Sequence, residues 1–288
     1  MSEDVKLWLE LIFRWVHVVA GVMWIGHLYF FNFVNAQVAK TYDAESKKKV
    51  VPELMPRALY WFRWGAAYTW ITGFLLLVFV YYIGARTSGN LVPLERIEAG
   101  MSPGVGHGLS VGLVVVGWVV YDMLWKALEK NENVGIIVSF LLVAGVIFGI
   151  SQVFTPRAVY IHLGGMFGTI MAANVWMRIW PAQRRIISAI KAGTAPDGAL
   201  VARAGLRSKH NTYMSVPLIF TMISIHYTMM HGPATKDGST SPMSSIFLIA
   251  IVAVGWGLAK LLYSKSGTPV PAQFEPSAAA ASPPGGKA

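Results

Sequence analysis

The sequence contains no cysteine and little charge. Without a thiol there is no disulfide framework, no thiolate zinc or iron–sulfur centre and no cysteine nucleophile. Covalent attachment of a c-type haem through C-x-x-C-H is excluded for the same reason. Charged residues are 13% of the 288 and hydrophobic residues 55%, whereas soluble domains carry about a quarter charged. Several uncharged runs exceed the ~18–20 apolar residues that one helix needs to cross a bilayer. A soluble domain is thereby ruled out. No Walker loop, G-x-G-x-x-G fingerprint, H-E-x-x-H pair or G-x-S-x-G elbow stands in a suitable context. The acidic start, Met1-Ser2-Glu3-Asp4, lacks the basic region and cleavage site of a signal peptide, so the first helix is expected to be retained.

What is present is apolar and segmented. Seven stretches stand out, at 7–34, 64–84, 105–127, 134–154, 157–180, 213–231 and 244–264. Lipid tolerates only helices or closed barrels, and runs this long and continuous exclude the barrel. The predicted fold class is all-α, a polytopic transmembrane bundle of about seven helices. The net charge of +10 is concentrated in loops 37–63, 126–133 and 178–212, at Lys260 and in the tail, which together hold eighteen of the 24 Lys and Arg. A basic excess of this pattern marks cytoplasmic loops rather than a nucleic-acid surface. It places the N-terminus outside and the C-terminus in the cytoplasm, with membrane lipid as the surrounding partner. Residues 1–264 are expected to form the helical domain. Residues 265–288, rich in Pro, Ala, Gly and Ser, are expected to be a disordered cytoplasmic tail.

Polar groups inside a bilayer are costly, so each needs a reason. With a rise of about 1.5 Å per residue, His162, five residues after Arg157, and His226, five before His231, both fall about 7 Å below the outer edge. His107 starts the third helix, and His17 follows Arg14 by three residues on the same face. Histidines on separate helices at similar depth can ligate a haem b between them, with Arg14 or Arg157 pairing a propionate. Gly21, Gly164, Gly165 and Gly168 would let a macrocycle approach the backbone. The alternative for any one of these histidines is a helix–helix hydrogen bond, and for the glycines plain packing. That alternative is preferred for His27 and His231.

A second polar set lies toward the basic side: Asn32, Asp122, Asn174, His210 and Asn211. These could line an inner pocket. Asp122 could equally pair with Lys126 at i, i+4, and Asn174 beside Ala172 and Ala173 could serve helix contact. The 13 methionines read mainly as core filler, with a soft-metal path as the other possibility.

The run Tyr160-Ile161-His162-Leu163-Gly164-Gly165-Met166 through Asn174-Val175, then Ile179-Trp180-Pro181-Ala182-Gln183-Arg184, Arg207-Ser208-Lys209-His210-Asn211 and Ser224-Ile225-His226-Tyr227, resembles the bacterial membrane urate hydroxylase family. So do Arg14-Trp15-Val16-His17 and Gly117-Trp118-Val119-Val120-Tyr121-Asp122. The resemblance spans about residues 10–262. It implies a membrane domain that oxidises urate to 5-hydroxyisourate and passes electrons to the respiratory chain from the bacterial inner membrane. By position it carries over His17, His162, Asn174, His210 and His226, but not His27 or His107. Two departures stand out. Loop 37–60 lacks the family's glycine-rich histidine motif, and the family's cytochrome c domain is not recognisable, so a separate cytochrome c is expected as acceptor.

Three readings follow. The first is a haem b oxidoreductase acting on urate or a related heterocycle. The second is a haem-bearing electron-transfer or anchor subunit of a larger respiratory or dehydrogenase complex, without a substrate of its own. The third is a metal or solute permease.

Overall fold

A computed structural model describes residues 2–83, 90–227, 229 and 234–268. His231, Arg86 and the tail from residue 269 lie outside the described residues. Within them the chain is all-α. The helices are α1 (Glu3–Tyr29), α2 (Ala44–Leu77), α3 (Leu94–Glu98), α4 (Pro103–Ala127), α5 (Glu132–Ser151), α6 (Pro156–Asn174), α7 (Trp180–Ala192), α8 (Gly198–Ser224) and α9 (Pro242–Ser266). Capping side chains open most of the long ones. Asp43 accepts from the Ser46 N–H at 2.7 Å, and Asp197 from the Ala199 N–H at 2.8 Å. Ser102, Thr155 and Ser241 cap α4, α6 and α9, each followed by a proline at the first helical position. A side-chain oxygen satisfies an otherwise orphaned N–H, and proline has no N–H to satisfy.

The described parts of the seven apolar stretches lie mainly on long helices. Among the described residues, six helical segments are long and apolar enough to cross a membrane, as a multi-pass membrane protein requires. The stretch 213–231 overlaps α8, whose first half carries Arg203, Arg207, Lys209 and His210. The rod built on α6 is the centre of the bundle: 72% of its apolar window is buried, against 17–28% for the other five. It packs on α2, α4, α5 and α8. Two glycines make the tight crossings. At Gly65 a Cβ would meet the Trp24 backbone N at 3.1 Å, so α1 and α2 touch backbone to backbone. At Gly164 a Cβ would collide with the Thr221 hydroxyl of α8. Small residues at such points let helices approach closely in lipid.

Three helices pass into a π-helical turn: Phe30–Asn35 after α1, Val78–Tyr82 after α2 and Val175–Ile179 after α6. An inserted residue rotates the downstream side chains by about 100°. Each of these turns carries a polar residue onto a partner: Asn32, Tyr82 and Arg178 respectively. At the Lys/Arg-rich end, Ala182, Ile186 and Ile190 of α7 form a small apolar cluster with Ala204 of α8, Leu200 and Val51. The α7 helix stops at Gly193, whose φ of 75° is left-handed. At the opposite end Asp237 binds Arg96 at 2.6 Å and accepts from Thr235 and Ser239. Those hydroxyls, and then Arg96, hold its carboxyl well below the usual carboxylate range.

Candidate functional site

His162, on the buried face of α6, is 1% exposed. Its Nδ1 stands 2.7 Å from the Ala158 carbonyl, which can only accept, so Nδ1 carries the proton. Nε2 is then an acceptor, and the Ser110 hydroxyl of α4 donates to it at 2.6 Å. The Tyr82 hydroxyl closes the chain on Ser110, and the His107 ring packs on Tyr82 at 5.0 Å. His17 is turned instead to α2, with Nδ1 3.2 Å from Thr72 Oγ1 and the ring edge against Gly73. His226 is exposed just beyond the end of α8. Arg14 pairs with Glu10 at 3.5 Å, and Arg157 is exposed. His27 bonds the Met23 carbonyl of its own helix at 2.7 Å.

These contacts bear on the fit of a haem b. His17, His162 and His226 are placed by different surroundings, and both nitrogens of His162 are hydrogen-bonded within the protein. A haem held by His162 would have to take the place of the Ser110 hydroxyl at Nε2. Gly164 and Gly168 face Thr221 and Leu218 of α8, which is helix packing.

The inner polar residues, by contrast, are brought together. Asp122 of α4 is 3% exposed. Arg178 donates to both of its carboxylate oxygens, Nε to Oδ1 at 2.8 Å and Nη2 to Oδ2 at 2.5 Å. Lys126 reaches Oδ2 at 2.8 Å, as i, i+4 spacing allows, and Arg207 reaches Oδ1 at 3.1 Å. The Arg207 guanidinium lies over the Tyr121 ring, 4.9 Å from its centroid. The Tyr121 oxygen accepts from Asn174 Nδ2 at 2.9 Å, so its proton goes to His210 Nδ1, also at 2.9 Å. Asn174 Nδ2 also donates to Asn211 Oδ1 at 2.9 Å, and Asn211 donates to the Met171 carbonyl at 3.0 Å. Nearby, Asn32 links Ser208 and Tyr263. Two buried polar atoms of the network have no protein partner, Arg207 Nη1 and Asn174 Oδ1.

Asp122, Asn174 and His210 were visible in the sequence as one loose set, whereas Arg178 and Arg207 read there only as loop charges. The overlooked signal is the spacing of Arg207, His210 and Asn211 at i, i+3 and i+4, which puts all three on one helix face. Arg178 gave no such signal, because the π-turn that aims it has no sequence mark. Among the described residues no group of three or more His, Asp or Glu stands close enough to hold a metal ion.

No curated protein and no solved structure matches the chain. The family model described as urate oxidase N-terminal matches it over residues 4–51 and 41–256. That match covers most of the chain, including the whole inner network, His17, His162 and His226. The chain, an all-α membrane bundle, belongs to the urate oxidase N-terminal family.

Proposed function

We propose that the protein is the membrane domain of a redox enzyme that oxidises urate, or a related anionic heterocycle, and delivers the electrons to a separate cytochrome c. The observation that carries this reading is the family match across residues 4–256. The reaction is a two-electron oxidation: water supplies the new hydroxyl oxygen, and two protons leave with the electrons. A membrane enzyme of this kind must admit an anion and keep it out of lipid. The buried cationic network around Asp122 offers the chemistry for that task. The Lys/Arg excess in loops 37–63 and 178–212 supports an orientation with this network toward the cytoplasm.

Haem b belongs to the proposal through the histidines. His162 would be the ligand, and its Nε2 would have to exchange the Ser110 hydroxyl for iron. Purified protein tests both parts. The expected results are a b-type reduced-minus-oxidised spectrum that His162→Ala abolishes, and urate-dependent reduction of added cytochrome c. A colourless, iron-free preparation defeats the haem. A haem that urate does not reduce, in a preparation that co-purifies with other subunits, favours the electron-transfer subunit instead.

A further inference from the structure

We propose that a cavity of about 170 Å³ beside the inner network is a binding site for a small, planar, singly charged organic anion, such as a carboxylate or a deprotonated imide or lactam. The identity of urate as its occupant rests on the reading above; the anion chemistry stands on the residues. The cavity is lined by Lys126, Glu129, Arg178, Arg203 and Arg207. Arg203 and Glu129 stand 3.7 Å apart and largely cancel. The other three cations all converge on the one carboxylate of Asp122. Three positive charges against one negative leave the site cationic.

Arg207 makes the imbalance specific. It is 2% exposed, lines the cavity, and keeps Nη1 without a partner. A buried guanidinium donor left unpaired is costly, and an anion accepting from it would remove that cost. Asp122 already shows which anion suits these groups, for it is a planar, singly charged acceptor gripped by two guanidinium groups. Arginine grips paired acceptor oxygens of carboxylates and phosphates alike, so phosphate is the competing occupant. The volume is below the ~300–1,000 Å³ of pockets that hold drug-sized ligands, which restricts the occupant to a small molecule.

Asp122 is therefore an internal competitor of the ligand, and the test exploits this. Thermal unfolding of the full chain in detergent is followed with urate, nicotinate, inorganic phosphate and micelles containing phosphatidylglycerol. Urate and nicotinate are expected to raise the midpoint saturably, and to raise it further in Asp122→Asn than in the unaltered protein. A residue that served only to hold the helices together would give no such gain. Lys126 is the most exposed of the three cations, so Lys126→Gln removes one contact to Asp122 while Arg178 and Arg207 keep theirs, and it decides the matter if Asp122→Asn does not fold. It is expected to weaken binding by about threefold to tenfold, the effect of one charge-assisted contact. Stabilisation by nicotinate but not urate upholds the site and removes urate as its ligand. Binding of urate without reduction of any acceptor upholds the site and defeats the redox reading. The proposal is overturned if neither planar anion stabilises the protein, if Lys126→Gln leaves their affinity unchanged, or if only phosphate or the lipid has an effect.

Discussion

The two polar regions of this bundle differ in charge. Around His162 the groups are neutral and both imidazole nitrogens have partners, while the Tyr81 hydroxyl packed on the ring is buried without one. Around Asp122 they are charged, Arg207 Nη1 and Asn174 Oδ1 have no protein partner, and Arg207 lines a cavity. The first chain is closed on the imidazole and holds α4 and α6 in register. The second is open, with surplus positive charge that has capacity for a ligand. The lesson is that neutral polar residues alone did not distinguish them: both regions hold a histidine, a tyrosine and a small hydroxyl or amide. What distinguishes them is the surplus of positive charge that Arg178, Arg207 and Lys126 bring to Asp122.

Removing the charge at the centre of the open region should have the largest effect. Asp122→Ala leaves Arg178 and Arg207 facing each other uncompensated, and breaking a buried pair in this way costs ~3–5 kcal/mol. A large fall in the thermal midpoint in detergent checks it, and an unchanged midpoint would show that solvent already screens the site. Next is the closed region. Ser110→Ala deprives His162 Nε2 of its donor in a buried setting, a loss of ~1–3 kcal/mol. If that variant is instead neutral, Ser110 was never the working partner and the contrast between the regions fails. Smallest is the acid response of the outer loop. The Asp237 carboxyl is depressed below its ordinary 3.8 by Thr235, Ser239 and Arg96. Its contribution is thus complete above pH 3.8 and is lost as pH falls toward the lower folded value. Asp237→Asn should flatten the acid limb of unfolding below pH 4 and leave pH 7 behaviour nearly unchanged. An identical acid limb in both proteins would remove this loop from the pH response.

Much of the bundle was legible before any coordinates. The uncharged runs announce the spans. The start of α8 was missed, because Arg203, Arg207, Lys209 and His210 break the apolar signal that was being followed. Levelled histidines were a sound reason to look at His17, His162 and His226, but depth along a helix says nothing of direction around it. His17 turns to Thr72 and His162 to Ser110, on different helices. Asp122 was read with Lys126 as its nearest i, i+4 partner, and that contact exists. Its stronger grip comes from Arg178 and Arg207, distant in the chain and brought in by the π-turn after α6 and by the face of α8.

Composition and order alone therefore settled the class of solvent, the helical class and the family. Those depend on sums over many residues, and lipid permits few backbone solutions. Which polar groups meet depended on helix rotation. One inserted residue changes that rotation by about 100°, while the hydropathy of the segment stays the same. Only the packed bundle could show that Arg207 arrives at Asp122 with a donor to spare.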